Sequence, residues 1–241
     1  MPQETTSSIA EYTLPLNAVE EPAAIEPLFS ASHEVFAEAH ELGLRTALGC
    51  PYAGVNIVVR KGELTALRGR NNSGKTALLL TLAARMAHNQ GTLTILGESM
   101  PKYRSRVQRR IGLGLIKGVN DLRSNLMTSQ VTASELGVFK RPSKREDVSA
   151  YLREWDLFDI ARMSVGDLSR EMMVMLGIAL GMAGEPEGLA VDDVEDQLTM
   201  RQSMRLMDRL ASIAHERNVA VIVACTERDL ALRADCVYEL G

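Results

Sequence analysis

Three kinds of feature are scarce in this sequence, and each absence excludes a class of protein. The 241 residues include three cysteines, Cys50, Cys225 and Cys236, which are too few and too scattered for a disulfide framework or a zinc site. No apolar run approaches the roughly 18 residues that a membrane-spanning helix needs, and the N-terminus lacks the basic start and apolar block of a signal peptide. The net charge of −4 provides no broad positive field for nucleic acid. We therefore expect a protein of a reducing compartment without a nucleic-acid partner.

What is present suits a globular chain with one large core. The composition is 46% hydrophobic and 24% charged, and the length allows one large domain or two small ones. Residues 1–32 are rich in Glu, Ala, Ser, Thr and Pro without a sustained period, which predicts a flexible tail. Residues 33–241 alternate strand-like and helix-like runs, which predicts an α/β fold with a mostly parallel sheet and an antiparallel part near the N-terminus. A more polar helical stretch, at about residues 118–175, is predicted to be a lobe inserted into this core.

The individual elements follow from the period of the apolar residues. Strands are predicted at residues 54–59, 63–67, 91–96, 110–116, 188–191, 219–224 and 236–240, with a hairpin turn at 60–62. Helices are predicted at 77–86, 144–158, 169–182 and 200–217. Trp155 and Phe158 are expected in the core of the lobe, and the methionines at 172, 173, 175 and 182 in core or interface packing. A local basic run is expected to be a solvated face, or a contact for phosphate or an acidic partner; it comprises Lys102, Arg104, Arg106, Arg109 and Arg110.

The stretch GRNNSGKT, residues 69–76, fits the phosphate-loop pattern G-x-x-x-x-G-K-[ST]. The strand predicted before it and the helix predicted after it are what this pattern requires, whereas a chance match would need neither. The glycines let backbone N–H groups surround phosphate oxygens, Lys75 would reach the terminal phosphates, and the Thr76 hydroxyl would bind magnesium. The predicted nucleotide-binding residues are Gly69, Arg70, Asn71, Asn72, Ser73, Gly74, Lys75 and Thr76.

A second motif lies 117 residues after Lys75 (192 − 75). In GLAVDD, Asp192 is predicted at the carboxyl end of a buried strand, where its carboxylate can hold the water shell of a magnesium ion beside Thr76. Upstream of it, LSREM at residues 168–172 precedes an apolar helix. The motifs follow one another in the order phosphate loop, helical stretch, LSREM helix, VDD strand and the strand before ACTE. Over about residues 34–241, this order resembles the nucleotide-binding cassette of ABC transporters.

The resemblance implies a cassette that binds ATP and Mg²⁺, pairs with a second cassette and serves a polytopic membrane protein subunit from the cytoplasmic, inner face of the cell membrane. It also implies that Ser169 contacts the nucleotide held by the opposite cassette. The stretches IGLGLIKGVNDL, VDDVED and ACTE are similar to a subgroup that accompanies membrane proteins of the phage-infection-protein kind. The groove that receives the membrane subunit would then lie around residues 116–136.

Several positions depart from the family's pattern. Arg170 and Glu171 stand where the signature LSGGQ has two glycines. Asp193 replaces the glutamate that polarises the attacking water, with a carboxylate about one methylene further back, a shift of a kind that costs roughly 10²-fold in rate. Glu227 replaces a histidine and brings negative charge toward the γ-phosphate, unless it caps or pairs with Arg228 at the surface. Other expected groups are also missing: Ile116 or Lys117 replaces a glutamine, Thr199 replaces an aspartate, and Tyr52 is the nearest candidate for an adenine platform.

The residues predicted to bind the nucleotide and its metal thus fit the family's pattern, whereas the predicted catalytic positions, Asp193 and Glu227, are altered. We expect weak or partner-dependent ATP hydrolysis, because turnover depends on positioned groups more than binding does. A catalytically inactive regulatory module that uses ATP as a switch is the alternative. A soluble P-loop ATPase of the DNA-repair type is disfavoured by the short helical lobe and the absence of a coiled-coil insertion.

Overall fold

A computed structural model of the chain describes residues 33–47 and 49–241, so the predicted tail at residues 1–32 lies outside the described residues. The strands are β1 Val35–Thr46, β2 Gly49–Arg60, β3 Leu64–Gly69, β4 Gln90–Ile95, β5 Glu98–Ser99, β6 Ile111–Leu113, β7 Gly188–Val191, β8 Ala220–Cys225 and β9 Cys236–Leu240. The α-helices are α1 Lys75–Leu82, α2 Arg104–Gln108, α3 Thr128–Val138, α4 Arg145–Glu154, α5 Arg170–Gly181, α6 Met200–Arg217 and α7 Arg228–Ala231, with 3₁₀ turns at Phe158–Ile160 and Val165–Asp167.

The strands form two sheets, as the sequence predicts. The parallel sheet has the order β6-β7-β8-β3-β9, and the antiparallel sheet has the order β2-β1-β4-β5. β8 is buried along its whole length, and its side chains alternate between two cores, because successive residues of a strand point to opposite faces. Val221, Val223 and Cys225 join the core that contains α5, α6 and the helical stretch. Ala220, Ile222 and Ala224 join the core formed with α1 and the antiparallel sheet.

The turn at residues 60–62 is not a hairpin turn, so that prediction is wrong. β2 pairs with β1 in the antiparallel sheet, whereas β3 pairs with β8 and β9 in the parallel sheet. The turn therefore carries the chain from one sheet to the other. It is held by hydrogen bonds from the Lys61 amide to the Glu34 carbonyl and from the Gly62 amide to the Val219 carbonyl.

Two predicted elements have different ends. The first helix begins at Lys75 instead of residue 77 and ends at Leu82 instead of residue 86, because Ala84 adopts a left-handed conformation (φ 56°) that stops the helix. The strand predicted at 110–116 is reduced to Ile111–Leu113. Beyond it, the Asn120 side chain accepts from the Ile116 amide (2.8 Å) and donates to the Gly114 carbonyl (2.9 Å), which folds the chain into a loop.

The segment between β6 and β7 is helical, and its aromatic residues behave differently from one another. Trp155 is 1% exposed and belongs to the core, as predicted, but Phe158 is 41% exposed. The prediction that Phe158 lies in the core is therefore wrong. Its ring packs instead against the Arg153 guanidinium, which lies 4.1 Å from the ring centroid. The Tyr151 hydroxyl fastens α4 to α5 through a hydrogen bond of 2.5 Å to the Ala179 carbonyl.

The predicted basic run is solvated at Lys102, Arg106 and Arg109, which are exposed, and several of its side chains are paired with neighbouring groups. The Arg104 side chain donates to the backbone carbonyl of Ala84, Arg106 pairs with Glu98 (2.6 Å) and Arg110 pairs with Glu187 (2.5 Å). The prediction of a solvated face therefore describes part of the run, while Arg104 and Arg110 are partly buried and bound to neighbouring groups. Within the described part of the chain, no helix combines the length and the apolar content needed to cross a bilayer.

Candidate functional site

The phosphate-loop sequence joins β3 of the parallel sheet to the start of α1. Asn72 (φ 66°) and Gly74 (φ 87°) both adopt left-handed conformations, which glycine and asparagine tolerate best. The space around the loop demands glycine at two places. A Cβ atom at Gly69 would lie 2.4 Å from the Ser73 Oγ, and one at Gly74 would lie 2.0 Å from the Pro51 carbonyl oxygen. The loop therefore packs against the start of β2, a contact with no sequence signal beyond the glycine itself.

The loop presents several features that suit an anion. The Lys75 ammonium donates to the carbonyls of Gly69 (2.8 Å) and Arg70 (2.9 Å), so it lies within the loop. The first turn of α1 contains no acidic residue, and its leading N–H groups have no partners within the helix. The buried Ser73 Oγ has no hydrogen-bond partner among the described residues. Positive charge and free donors thus lie together at the carboxyl end of β3.

Thr76 and Asp192, predicted as metal ligands, lie together. The Thr76 hydroxyl donates to Asp192 Oδ2 over 2.7 Å, because β7 ends two strands away from β3 at the same edge of the sheet. Burial raises the pKa of Asp192 above its usual range, although the hydrogen bond from Thr76 opposes this shift. Hydroxyl and carboxylate oxygens suit Mg²⁺. Among residues 33–47 and 49–241, no group of three or more His, Cys, Asp or Glu residues is placed to hold a metal.

The two predicted catalytic residues face one cavity beside the loop. Asp193 and Glu227 line a space of about 510 Å³ together with Asn71, Glu195 and Asp196. Burial, followed by the negative charges of Asp196 and Asp192, raises the pKa of Asp193. Glu227 is exposed and is the N-cap residue of α7, but its side chain makes no capping hydrogen bond. The cavity is therefore acidic where the phosphate loop borders it.

Glu195 has a structural contact that the sequence does not reveal. A solvated acidic loop is one interpretation of Glu195 and Asp196, but the Glu195 carboxylate accepts hydrogen bonds from the backbone amides of Thr226 (2.6 Å) and Glu227 (3.2 Å). These bonds fix the turn after β8 to the segment after β7. No local pattern predicts a contact of this kind, since the partners are 31 and 32 residues apart.

Tyr52 cannot serve as an exposed platform for a base. Its side chain is 5% exposed, and its hydroxyl donates to the Thr81 Oγ1 of α1 over 2.7 Å. A second cavity, of about 560 Å³, lies beside Lys75 and Thr76 and is lined on its other side by Thr46, Gly49, Cys50 and Pro51. These residues of β1 and β2 were not predicted to belong to the site.

The LSREM segment forms the start of α5. Ser169 is the N-cap, and its hydroxyl accepts from the Met172 amide over 3.3 Å. Met172 is 40% exposed, while Met182 is 3% exposed and belongs to the core. Of the other altered positions, Ile116 is 1% exposed and belongs to a core. Thr199 caps α6, accepting from the Gln202 amide over 3.3 Å.

Comparison with known proteins identifies the family to which this chain is similar. The sequence model described as ABC transporter matches residues 52–195. The bacitracin transport ATP-binding protein BcrA of Bacillus licheniformis is 28% identical over 176 residues, which cover 70% of this chain and 55% of that protein. A probable anion import ATP-binding protein of Haloferax volcanii is 26% identical over 213 residues, covering 81% of this chain and 73% of that one. The chain thus spans little more than half of the BcrA length.

Solved structures show the same fold. The structure of cbiO1 from Clostridium perfringens, part of the ABC transporter complex cbiONQ, superimposes with a TM-score of 0.73 at 19% identity over 86% of this chain and 85% of that one. A dimeric bacterial ABC transporter cassette, MJ0796, gives a TM-score of 0.72 at 17% identity over 85% of this chain and 94% of that one. With the match to the family's sequence model, these likenesses establish that the chain belongs to the ABC transporter family and has the fold of its ATP-binding cassettes.

Proposed function

We propose that this chain binds Mg-ATP and uses it to power or gate a membrane protein complex, with hydrolysis that is weak or depends on a partner. The observation that carries the proposal is the 2.7 Å contact between Thr76 and Asp192 beside a loop that contains the Lys75 ammonium. The proposal is supported by a glycine-rich loop that surrounds an ammonium group and by a hydroxyl–carboxylate pair at the same edge of the parallel sheet, since these groups suit a triphosphate and a hard cation.

Each group has a defined part in this proposal. The loop at residues 69–76 and the N-terminus of α1 would hold the phosphates, and Thr76 and Asp192 would hold the metal. A bound Mg²⁺ supplies neutralisation of phosphate charge. Asp193 would orient the attacking water and accept its proton, from a carboxylate that is one methylene shorter than the usual glutamate. Glu227 places negative charge where the family has a histidine, which disfavours rapid turnover.

The partners are inferred from the family. A second cassette, either another copy of this chain or a different one, would contact the bound nucleotide through its own residue equivalent to Ser169. A polytopic membrane subunit would dock near residues 116–136. With these partners, the chain would lie peripherally at the cytoplasmic face of the cell membrane. A partner of the phage-infection-protein kind stays a prediction from the sequence. The division into a tail, residues 1–32, and a cassette, residues 33–241, with a lobe at about 118–175, is part of the same proposal.

Calorimetric titration with Mg-ATP tests the binding step. The unmodified chain and Lys102→Ala, which alters an exposed lysine away from the loop, should both bind, and Lys75→Ala should not. Equal binding by Lys75→Ala would refute the assignment of the loop. In a phosphate-release assay, Asp193→Asn should slow hydrolysis while Asp159→Asn, at an exposed position between α4 and α5, should not. Turnover of ~1 per second or faster, the low end for ordinary enzymes, would contradict weak hydrolysis.

A regulatory module that binds ATP without consuming it is the second candidate, and the acidic cavity favours it. Asp193, Glu195, Asp196 and Glu227 line the same cavity as Asn71 of the loop, so their negative charges oppose the negative charge that develops on oxygen atoms there in a transition state. ATP would then act by its different affinity for two conformations. Nucleotide recovered intact after prolonged incubation with the chain and its membrane partner supports the module, and released phosphate supports the enzyme.

A further inference from the structure

The first two residues of α5 are attached to different elements: Arg170 to the segment that follows β7, and Glu171 to α6. The Arg170 side chain donates from Nε to the backbone carbonyl of Asp196 (3.1 Å) and pairs with the Asp196 carboxylate (3.1 Å). Glu171 accepts from the side chains of Gln202 and Arg205, both at 2.9 Å. Both residues therefore contact their own chain, at the positions where the family's signature has glycines.

The segment that Arg170 holds, residues 193–199, also borders the candidate nucleotide site. The Asp196 amide donates to the Asp193 carbonyl over 3.1 Å, so Arg170 and Asp193 are linked through one residue. The neighbouring Glu195 holds the Thr226 and Glu227 amides. One short segment thus connects the start of α5 with both acidic residues of the candidate active site.

Asp193 needs such support. Its backbone is in the left-handed region (φ 48°), where a residue with a side chain persists only when its surroundings impose that conformation. Arg170 binds both the backbone and the side chain of Asp196, which restricts the peptide more than a contact to the carboxylate alone would. The contact is also placed to act on rate, since small displacements of a reacting group have large effects on turnover.

We propose that Arg170 is a positioning residue that holds the Asp193–Thr199 segment, and through it Asp193 and the 226–227 turn, in place at the nucleotide site, while Glu171 holds the start of α5 against α6. The inference rests on the proposed function, in which Asp193 acts on the bound nucleotide. Any movement of the start of α5 is then transmitted to the site within the same chain.

Amide hydrogen exchange of the full chain, followed by NMR, tests the attachment directly. Arg170→Ala should speed exchange at Thr226 and Glu227 by roughly threefold to tenfold, the range expected when a supporting hydrogen bond is lost. Arg170→Lys, which keeps a positive donor, should restore part of the protection. Arg201→Ala is the matched control, because Arg201 is an exposed arginine of α6 for which the described residues provide no hydrogen bond or ion pair.

Nucleotide measurements on the same variants test the consequence. Arg170→Ala should bind Mg-ATP as tightly as the control, since Arg170 does not contact the phosphate loop, while its single-turnover rate should fall by roughly tenfold with unchanged KM. Exchange in Arg170→Ala equal to that in Arg201→Ala would overturn the proposal even if ATP binds. If the unmodified chain fails to bind ATP, the proposed function and the role of Asp193 both fail, whereas faster exchange would still support the attachment.

Discussion

Replacing Gly74 by alanine should have two costs in the phosphate loop: a strained left-handed backbone and a steric clash with Pro51. Gly74 has φ 87°, and a Cβ atom there would lie 2.0 Å from the Pro51 carbonyl oxygen and 2.7 Å from the carbonyl carbon. The colliding atoms belong to the backbone, so no rotamer change relieves them. Gly97, in the turn between β4 and β5, has a similar φ of 74°, but a Cβ atom there meets nothing within 4 Å. Gly97→Ala is therefore a control for backbone strain alone.

The magnitudes follow from this comparison. A left-handed backbone costs an alanine about 1–2 kcal/mol, which is the whole loss of unfolding free energy expected for Gly97→Ala. Gly74→Ala adds an overpacking cost of about 1–3 kcal/mol, because Pro51 or the loop must move by about an ångström. If about 2 kcal/mol of the overpacking cost is needed to return the shifted loop to the conformation that binds phosphate, Mg-ATP affinity falls by roughly 30-fold. The affinity of Gly97→Ala should not change.

Urea unfolding monitored by circular dichroism, together with calorimetric titration of Mg-ATP, measures both quantities on the same preparations. Equal losses of stability in the two variants would show that contact with Pro51 does not constrain the loop. Unchanged ATP affinity in Gly74→Ala would refute the argument that this loop must approach β2 closely in order to bind phosphate.

Three other substitutions test the fold and the site. The hydrogen bond from Arg110, followed by that from Lys61, holds the pKa of Glu187 below its usual range against the opposing effect of burial; Glu187→Gln should cost about 1–2 kcal/mol in urea unfolding at pH 7 for a partly exposed pair. This stability is present above the ordinary carboxyl range and is lost as pH falls through the lowered pKa, so a difference that persists in acid would contradict the assignment. Asp193→Glu should raise single-turnover phosphate release roughly tenfold or more by restoring the missing methylene, and an unchanged rate would count against a role in hydrolysis. Tyr151→Phe removes a buried hydrogen bond to α5 and should lower the urea midpoint by an amount equivalent to about 1–2 kcal/mol; an unaltered midpoint would show that the bond contributes nothing to stability.

Elements with clear end signals were predictable from the sequence. The predicted ends of α6 at residues 200 and 217 are those observed, because Thr199 and Gln202 form a capping box and Asn218 adopts a left-handed conformation (φ 52°) after the last turn. The pattern was less informative between residues 35 and 60, where only 54–59 was predicted. β1 and β2 extend over most of that stretch, and their pairing shifts register at several points. Such bulges interrupt the alternation of apolar and polar residues on which a strand prediction depends.

The candidate site likewise contains contacts that were predictable from the sequence and contacts that were not. Thr76 and Asp192 were placed together from the sequence because a motif fixes one and the end of a buried strand fixes the other. The contacts of Glu195 with the 226–227 turn, and of Arg170 with Asp196, have no counterpart in local sequence. Each joins segments more than twenty residues apart through side chains that a surface loop could equally leave in solvent.

This division indicates how binding and hydrolysis can be altered independently in one chain. In the proposed function, phosphate binding would depend on the backbone geometry at Gly69 and Gly74, where a Cβ atom has almost no room, and on the hydrogen bond between Thr76, at the start of α1, and Asp192, after β7. The altered groups, Arg170, Glu171 and Glu227, lie in partly exposed segments held by ion pairs and single hydrogen bonds, where exchanges of side chain cost little stability. Substitution at these positions can therefore change the charge and the positioning at the site while the phosphate loop keeps its shape, so a loss of turnover need not be accompanied by a loss of nucleotide binding.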